Sequence, residues 1–237
     1  MERRYRITAH RGLSPSRTLG LEPENTLLAF REALALGVDG CECDLRVTAD
    51  GQGVILHDAT VDRTTDGAGE VAAMTFDDLR RLDAGKGELV PTLAEAANLI
   101  CPQALLRLEL KAPNTPALAV KVLGELCFSD RVVYSSFDPA LLTKVRALQP
   151  QARLRFIFGK PDAERMARVR ELGLEGFDVE YHFISPDLIA RYHREGLSIA
   201  AWTPDDPDEM RRLITLGIDE IITNRPDVLF DVLSGEK

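Results

Sequence analysis

The chain has 237 residues, of which 45% are hydrophobic and 28% charged, and its 29 Lys and Arg against 38 Asp and Glu leave a formal net charge of −9. This composition is typical of a globular protein large enough to bury a core without disulfides or metals. Because no Lys/Arg-rich run is present, a nucleic-acid or membrane-surface partner is not expected, and a small molecule is the partner that is left. No apolar run approaches the ~18 residues that a membrane-spanning helix requires, so stable membrane insertion is not expected either.

The N-terminal residues and the cysteines predict a cytoplasmic location. The charged residues 1–6 lead directly to His10 and Arg11 rather than into an apolar segment, which is not the pattern of a secretory signal. The four cysteines are Cys41, Cys43, Cys101 and Cys127. Their spacing fits neither a zinc site nor a disulfide framework, so we expect reduced thiols.

Short strand-like runs alternate with helical patterns along the chain. The predicted strands are residues 5–9, 38–47, 53–57, 104–110, 131–135, 153–158, 176–180, 197–202 and 218–223. The predicted helices are residues 26–36, 93–100, 117–127, 139–148, 163–172, 186–195, 207–216 and 226–233.

Local signals mark the ends of several of these elements. Asn25 is a plausible N-cap of the first helix, and Gly173, Gly196 and Gly217 stand where helices should end. The Asp-Gly turn at residues 49–51 predicts a hairpin between strands 38–47 and 53–57.

The alternation of strands and helices predicts one fold above the others. Apart from the hairpin partner, it gives about eight βα units, which in a chain of this length match a closed (β/α)8 TIM barrel formed by residues 1–237 as a single domain. A doubly wound open sheet is the alternative. Residues 59–91 are longer than an ordinary βα loop, so we expect a small insertion over one rim. The sequence does not indicate an oligomeric state.

Acidic residues at the predicted strand ends point to a metal site. In such barrels the catalytic groups lie at the C-terminal ends of the strands. Side chains alternate along a strand, so Glu42 and Asp44 share one side, as do Glu109 and Lys111, and their apolar neighbours face the helices. Three converging carboxylates need compensation, and oxygen ligands at this density suit Mg²⁺ or Ca²⁺.

The histidines and cations at the same rim predict proton transfer and anion binding. His10 and His57 both fall at strand ends beside the carboxylates and form a candidate acid/base pair, whereas His182 is left unassigned and His193 is expected at the surface of a helix. The remaining candidates are Arg11 and Lys111, which either neutralise the carboxylates or clamp an anionic oxygen, and Trp202, which is expected to form an apolar wall for substrate.

An ordered set of short motifs resembles the glycerophosphodiester phosphodiesterases. The matching pieces, in family order across nearly the whole chain, are His10-Arg11-Gly12, Pro23-Glu24-Asn25-Thr26, Glu42-x-Asp44, His57-Asp58, Arg63-Thr64-Thr65, Pro91-Thr92-Leu93, Glu109-Leu110-Lys111, Ser136-Phe137 and Trp202-Thr203. A lone His-Arg-Gly would be weak evidence, but the ordered set is specific.

The resemblance implies a TIM barrel with a small segment inserted after the second strand, and cleavage of a glycerophosphodiester to sn-glycerol 3-phosphate and an alcohol such as choline or ethanolamine. It implies a divalent cation, Mg²⁺ or Ca²⁺ with Mn²⁺ as an alternative. The implied roles are metal binding for Glu42, Asp44 and Glu109, acid/base catalysis for His10 and His57, and phosphate binding for Arg11 and Lys111.

Two features depart from the family pattern. Ten residues, 13–22, separate Gly12 from Pro23, which is longer than expected and leaves the identity of the alcohol open. Asn224 stands where an Asp is commoner, at a position that we place outside the metal and proton-transfer residues. Glu180 is left unassigned, with contact to a substrate hydroxyl as one role.

Three other functions are compatible with such a barrel. A lysophospholipase D-type phosphodiesterase would share the core of the barrel and differ in its loops. A metal-dependent aldolase or isomerase would share only the fold. A non-catalytic binding module would have lost at least one catalytic position. The sequence leaves open whether water attacks directly or a glycerol hydroxyl attacks first to give a cyclic phosphate.

Overall fold

The computed structural model of the chain describes residues 5–13, 22–160, 162, 166 and 169–235. The strands in this part of the chain are β1 (Arg6–His10), β2 (Gly40–Val47), β3 (Gly53–Ile55), β4 (Leu105–Leu110), β5 (Val132–Ser136), β6 (Arg153–Phe158), β7 (Gly176–Glu180), β8 (Ser198–Trp202) and β9 (Glu220–Thr223).

Eight of these strands close into a parallel barrel. β1 pairs in parallel with both β2 and β9, and the other parallel strands follow between them in chain order. β3 lies outside the barrel and is antiparallel to β2, across a turn in which Gly51 has a φ of +86°. The (β/α)8 barrel is therefore confirmed, and the open-sheet alternative is wrong.

Helices cover the outside of the barrel. They are α1 (Leu27–Ala35), α3 (Leu93–Ile100), α4 (Thr115–Glu125), α5 (Pro139–Leu148), α6 (Pro186–Arg194), α7 (Pro207–Leu216) and α8 (Pro226–Ser234), and the short α2 (Phe76–Leu79) lies in the segment between β3 and α3. Of the predicted helix at 163–172, only residues 166 and 169–172 lie within the described part. No helix in the described ranges has both the length and the apolar character needed to cross a bilayer.

The three glycines expected to end helices, Gly173, Gly196 and Gly217, all have left-handed backbone, whereas the expected N-cap of the first helix is not the one observed. Gly217 ends α7 in the left-handed region, at φ +82°, and its N–H reaches the carbonyl oxygens of the last turn. The expected N-cap Asn25 is wrong, because the side chain of Thr26 accepts the hydrogen bond from Ala29 N at the start of α1. Asn25 instead directs its amide to Asp44.

The inserted segment, residues 59–91, packs around a small apolar cluster of its own. It contains α2 and a single 3₁₀ turn at Val71–Ala73. The buried members of the cluster are Val54, Leu56, Val61, Val71, Leu79, Ala84 and Val90. A core of this size explains how a segment far longer than an ordinary loop keeps an ordered position against β3.

The interior of the barrel holds charged side chains that the sequence analysis did not identify. Arg107 on β4 and Arg155 on β6 are 2% and 0% exposed, and both contact Asp178 on β7. Arg107 also lies 3.0 Å from Glu220 on β9. Each of these four buried charges has an opposite partner, as burial away from water demands.

Candidate active site

Strand register brings the predicted metal and acid/base residues side by side. β1 pairs with β2 so that His10 lies opposite Glu42, and β2 pairs with β4 so that Asp44 lies opposite Glu109. Because parallel strands end on the same side of a barrel, these four side chains meet at the C-terminal rim. Lys111 follows directly after β4.

The predicted alternation along β2 is confirmed. Cys41 and Cys43 are part of the apolar core between the barrel and the helices, whereas Glu42 and Asp44 face the barrel mouth. One oxygen of each of Glu42, Asp44 and Glu109 lies within 4.8 Å of the others, and all three residues are buried. This cluster can hold a metal ion.

Two cations contact the carboxylate cluster, and they do so unevenly. Lys111 Nζ lies 2.7 Å from Glu109 Oε1 and 3.1 Å from Asp44 Oδ1, and Arg11 Nε lies 3.4 Å from Asp44 Oδ2. Among the described residues, no Lys or Arg side chain forms an ion pair with Glu42, whose carboxylate accepts the Arg11 backbone N–H at 3.1 Å.

The pKa values of the carboxyls follow this imbalance. Burial, reinforced by the charge of Asp44, raises the pKa of Glu42 well above its usual value, and the same two causes raise the pKa of Glu109 to about 7. Burial alone would raise the pKa of Asp44, but Lys111 and Arg11 outweigh it and hold that pKa below its usual range.

A divalent cation fits this arrangement. Metal ligands act as ionised carboxylates, and in that form Arg11 and Lys111 neutralise only two of the three charges, which leaves Glu42 without a cation. Oxygens bound to one ion lie at most about 4–5 Å apart, since Mg²⁺–O and Ca²⁺–O distances are about 2.0–2.6 Å. The observed spread of the carboxylate oxygens is compatible with that limit.

The two predicted acid/base histidines line the same cavity but have different partners. His10 Nδ1 lies 2.6 Å from the side-chain oxygen of Asn224, and His57 Nδ1 lies 2.6 Å from Asp58 Oδ1. Burial, helped by the neighbouring Arg11, lowers the pKa of His10 to about 4, and burial also lowers the pKa of His57. His10 is therefore neutral near pH 7 in the structure.

The cavity at the barrel mouth has a volume of about 120 Å³. Seven of the eight predicted site residues line it: His10, Arg11, Glu42, His57, Glu109, Lys111 and Trp202. The eighth, Asp44, is fully buried and belongs to the carboxylate cluster next to it. The predicted set is thus brought together in one place.

An aromatic pair forms one side of the cavity. Trp202 at the end of β8 meets Phe137, which follows β5, edge to face with ring centroids 5.7 Å apart. Phe137 is 39% exposed, so the pair reaches from the cavity to the surface. Trp202 lines the cavity, and its role as a wall for substrate stays a prediction.

A chain of ion pairs beside the cavity was not predicted. Glu24 accepts hydrogen bonds from both Arg11 and Arg63, and Arg63 also donates to Asp58, the partner of His57. Glu24, Asp58 and Arg63 belong to sequence motifs that match the family but predict no role for these three residues. The polar character of the loops that follow β1 and β3 is the signal that could have found them.

Asn224, which we place outside the metal and proton-transfer residues, contacts His10 directly. The contact arises because β9 is the barrel neighbour of β1. The polar pair Thr223-Asn224 at a strand end was a usable signal.

Glu180 lies 2.6 Å from His182 Nδ1, and neither residue lines the cavity. His193 is on the surface as expected, and residues 14–21 of the long loop lie outside the described part.

Left-handed backbone at two non-glycine residues shapes the loop that carries Arg11. Arg11 has a φ of +56° and Asn25 a φ of +59°, and Asn25 N donates to Arg11 O at 3.0 Å. Such conformations are costly, and they concentrate at functional sites where the surrounding contacts hold them.

A (β/α)8 barrel whose strand ends gather two histidines, two cations and a carboxylate cluster around one cavity has the architecture of an enzyme. The model of the glycerophosphoryl diester phosphodiesterase family matches residues 10–228. The chain belongs to this family.

Curated relatives and solved structures agree with this membership. A glycerophosphodiester phosphodiesterase of Caldanaerobacter subterraneus subsp. tengcongensis is 35% identical over 96% of this chain and 97% of its own. A phosphodiesterase of Oleispira antarctica, solved in complex with the product sn-glycerol-3-phosphate, superposes with a TM-score of 0.90 at 28% identity and covers 97% of this chain and 96% of its own. A similar structure from Silicibacter pomeroyi covers 98% and 93% with a TM-score of 0.88 and 28% identity.

Proposed function

We propose that the enzyme hydrolyses glycerophosphodiesters, such as glycerophosphocholine or glycerophosphoethanolamine, to sn-glycerol 3-phosphate and an alcohol. The observation that carries the proposal is the buried trio of Glu42, Asp44 and Glu109 in contact with a cavity that His10 and His57 also line. The product bound in the Oleispira phosphodiesterase supports the choice of substrate class.

The reaction is proposed to depend on a divalent cation held by Glu42, Asp44 and Glu109, with Mg²⁺ or Ca²⁺ as the first candidates and Mn²⁺ as the third. When bound, such an ion supplies positive charge to the phosphoryl oxygens. The chain has a net charge of −9, which would repel an anionic phosphodiester. A bound cation makes the site itself attractive to that substrate. Arg11 and Lys111 extend the positive region from the metal side of the cavity.

His10 and His57 are proposed as the acid/base pair. Hydrolysis requires one group to take a proton from the attacking hydroxyl and another to give a proton to the departing alcohol oxygen. Both rings line the cavity, and each is held at Nδ1 by a side chain behind it, which leaves Nε2 available. Trp202 and Phe137 offer an apolar wall for the remainder of the substrate.

Release of glycerol 3-phosphate from glycerophosphocholine tests the proposal. We expect turnover with Mg²⁺, Ca²⁺ or Mn²⁺, none with EDTA, and a loss of about 10²–10⁴-fold in rate for His10→Ala and for His57→Ala. His193→Ala, on the surface, is the matched control and should retain wild-type rate. Turnover that persists in EDTA, or an unaffected His10→Ala variant, contradicts the assigned site. A higher rate on lysophosphatidylcholine than on glycerophosphocholine would contradict the substrate class.

A further inference from the structure

Asp205 holds the side chain of Asn224 in one orientation. Asn224 Nδ2 donates to Asp205 Oδ2 at 2.7 Å, and the Asn224 backbone N–H donates to Asp205 Oδ1 at 3.0 Å. Thr223 Oγ1 donates to the same Oδ1 at 2.9 Å. Although Asp205 is exposed, these three donors fix its carboxylate against the residues that follow β9.

The orientation of the amide follows from what each group can donate. An ionised carboxylate only accepts hydrogen bonds, so the atom of Asn224 that faces Asp205 must be the NH₂ group. The amide oxygen therefore faces the other way, where it lies 2.6 Å from His10 Nδ1. Turning the amide over would place oxygen against oxygen at Asp205 and would lose this bond.

The amide oxygen in turn selects the form of His10. A carbonyl oxygen only accepts, so a contact of 2.6 Å requires a proton on His10 Nδ1. In the neutral ring the other nitrogen, Nε2, then carries a lone pair. Nε2 is on the side of the metal cluster, 3.8 Å from Glu42 Oε2. The nitrogen that faces the cavity is thus an acceptor.

His57 has the same geometry with a different kind of partner. Its Nδ1 faces a carboxylate, Asp58, whose negative charge stabilises the doubly protonated ring, whereas the neutral amide of Asn224 offers His10 no such charge. Of the two rings, His57 is therefore the one whose partner can support the second proton that a proton donor needs.

We propose that Asn224, oriented by Asp205, is a positioning residue that holds His10 in its Nδ1–H form, so that His10 accepts the proton of the attacking hydroxyl and His57 donates the proton to the leaving alcohol. One P–O bond forms as the hydroxyl proton moves to His10 Nε2, and one P–O bond breaks as the proton of His57 Nε2 moves to the departing oxygen. The inference rests on the proposed hydrolysis, because it assigns directions to the same two histidines.

The form of His10 can be measured without any reaction. With only four histidines in the chain, long-range ¹H–¹⁵N spectra of the Mg²⁺-loaded enzyme separate the rings, and His57→Gln, His182→Gln and His193→Gln assign them. We expect a protonated Nδ1 and an unprotonated Nε2 for His10 in the wild type. In Asn224→Ala the same ring should shift towards the Nε2–H form. An Nε2–H form of His10 in the wild type overturns the proposal, and this measurement needs no variant of Asn224 to fold.

Kinetics supply the second readout. Asn224→Ala should lower kcat on glycerophosphocholine about 10–100-fold with little change in KM, as is usual when a partner that orients a working histidine is removed. Asn98→Ala, on the exposed side of α3, is the matched control and should behave as wild type. Because Asp205 acts through Asn224, Asp205→Ala added to Asn224→Ala should cause little further loss.

The outcomes separate this inference from the proposed function. Absence of glycerol 3-phosphate release by the wild type refutes the hydrolysis, whatever the ring form of His10. Wild-type turnover with an unchanged kcat for Asn224→Ala, or fully additive losses for the two substitutions, refutes the positioning role and leaves the hydrolysis standing.

Discussion

Arg63 and Glu24 form a two-pronged ion pair, in which Nη1 lies 2.7 Å from Oε2 and Nη2 lies 2.7 Å from Oε1. Glu24 precedes α1 in the barrel, and Arg63 belongs to the inserted segment, so the pair joins the two. Both residues also contact the site, Glu24 directly and Arg63 indirectly, since Glu24 binds Arg11 and Arg63 binds Asp58, the partner of His57. The inserted segment therefore helps to position a cation and a histidine of the candidate site.

Arg63→Lys should weaken activity more than stability. A lysine keeps the charge but cannot form the planar fork that holds Glu24 and Asp58 together. The side chain of Arg63 is 38% exposed, so its ion pairs contribute at most about 1 kcal/mol to folding. We expect kcat/KM on glycerophosphocholine to fall about tenfold with Tm nearly unchanged. Arg81→Lys, in an exposed pair of the same segment, is the control, and an equal fall in that variant would contradict the explanation.

Glu42→Gln should have opposite effects on stability with and without metal. In EDTA the buried Glu42 carboxyl has no cationic side chain beside it, and it is destabilising whether it stays charged or takes up a proton. A neutral amide removes this cost, so the free energy of unfolding at pH 7 should rise by about 1–3 kcal/mol. With saturating Ca²⁺ or Mg²⁺ the wild type should gain stability through binding, and the variant should gain less.

Thermal unfolding of the wild type and Glu42→Gln, in EDTA and in each metal, checks whether the order of their stabilities changes when metal is added. Gln52→Glu, on the turn between β2 and β3, is a control for the change in charge and should respond to metal as the wild type does. A variant that is less stable than wild type in EDTA would show that Glu42 is not under electrostatic strain.

The sequence predicts some contacts of the candidate site and not others, depending on how many strands determine the contact. The alternation of side chains along a strand was enough to place Glu42 and Asp44 on one face, because a single strand determines that relationship. The contact between Asn224 and His10 depends instead on closure of the barrel, which pairs strands separated by more than 200 positions in the chain. The position of both residues at strand ends is compatible with a contact, but it does not show which of the polar strand-end residues His10 contacts.

The buried charges show a different limit. Arg107 and Arg155 are charged residues within mainly apolar strands, and their partners Asp178 and Glu220 come from other strands. Only the register of four strands shows that these charges neutralise one another inside the barrel. Local propensity carries no information on such pairing.

Arg107→Met should be strongly destabilising. Removal of this guanidinium leaves Glu220 without its closest cation and Asp178 with Arg155 alone, and breaking a buried ion pair on one side costs about 3–5 kcal/mol. Arg81→Met, whose side chain is 75% exposed, should change the free energy of unfolding by less than about 0.5 kcal/mol. Urea unfolding of both variants measures the difference, and similar losses would refute a special role for the buried network.

The same network predicts how stability depends on pH. Burial alone would raise the pKa of Asp178, but Arg107 and Arg155 outweigh it and lower that pKa below its usual value. A lowered pKa in the folded state gives stability that is complete above the unfolded pKa of about 3.9 and is lost as the pH falls towards the folded value. The difference in unfolding free energy between wild type and Asp178→Asn should be constant from pH 5 to pH 8 and should shrink below about pH 4. A difference that grows on acidification would contradict this sign.

Gly12→Ala should destabilise the loop that carries Arg11, for two separable reasons. Gly12 has a φ of +86°, where a side chain costs about 1–2 kcal/mol. A Cβ there would also lie 2.7 Å from the Cβ and the carbonyl carbon of Ala29, and overpacking of this kind adds about 1–3 kcal/mol. Gly51 has the same φ of +86° with nothing within 4 Å of its Cβ position, so Gly51→Ala measures the first cost alone. Urea unfolding should show the larger loss for Gly12→Ala, and equal losses would mean that α1 moves aside and that close packing against Ala29 does not hold the loop.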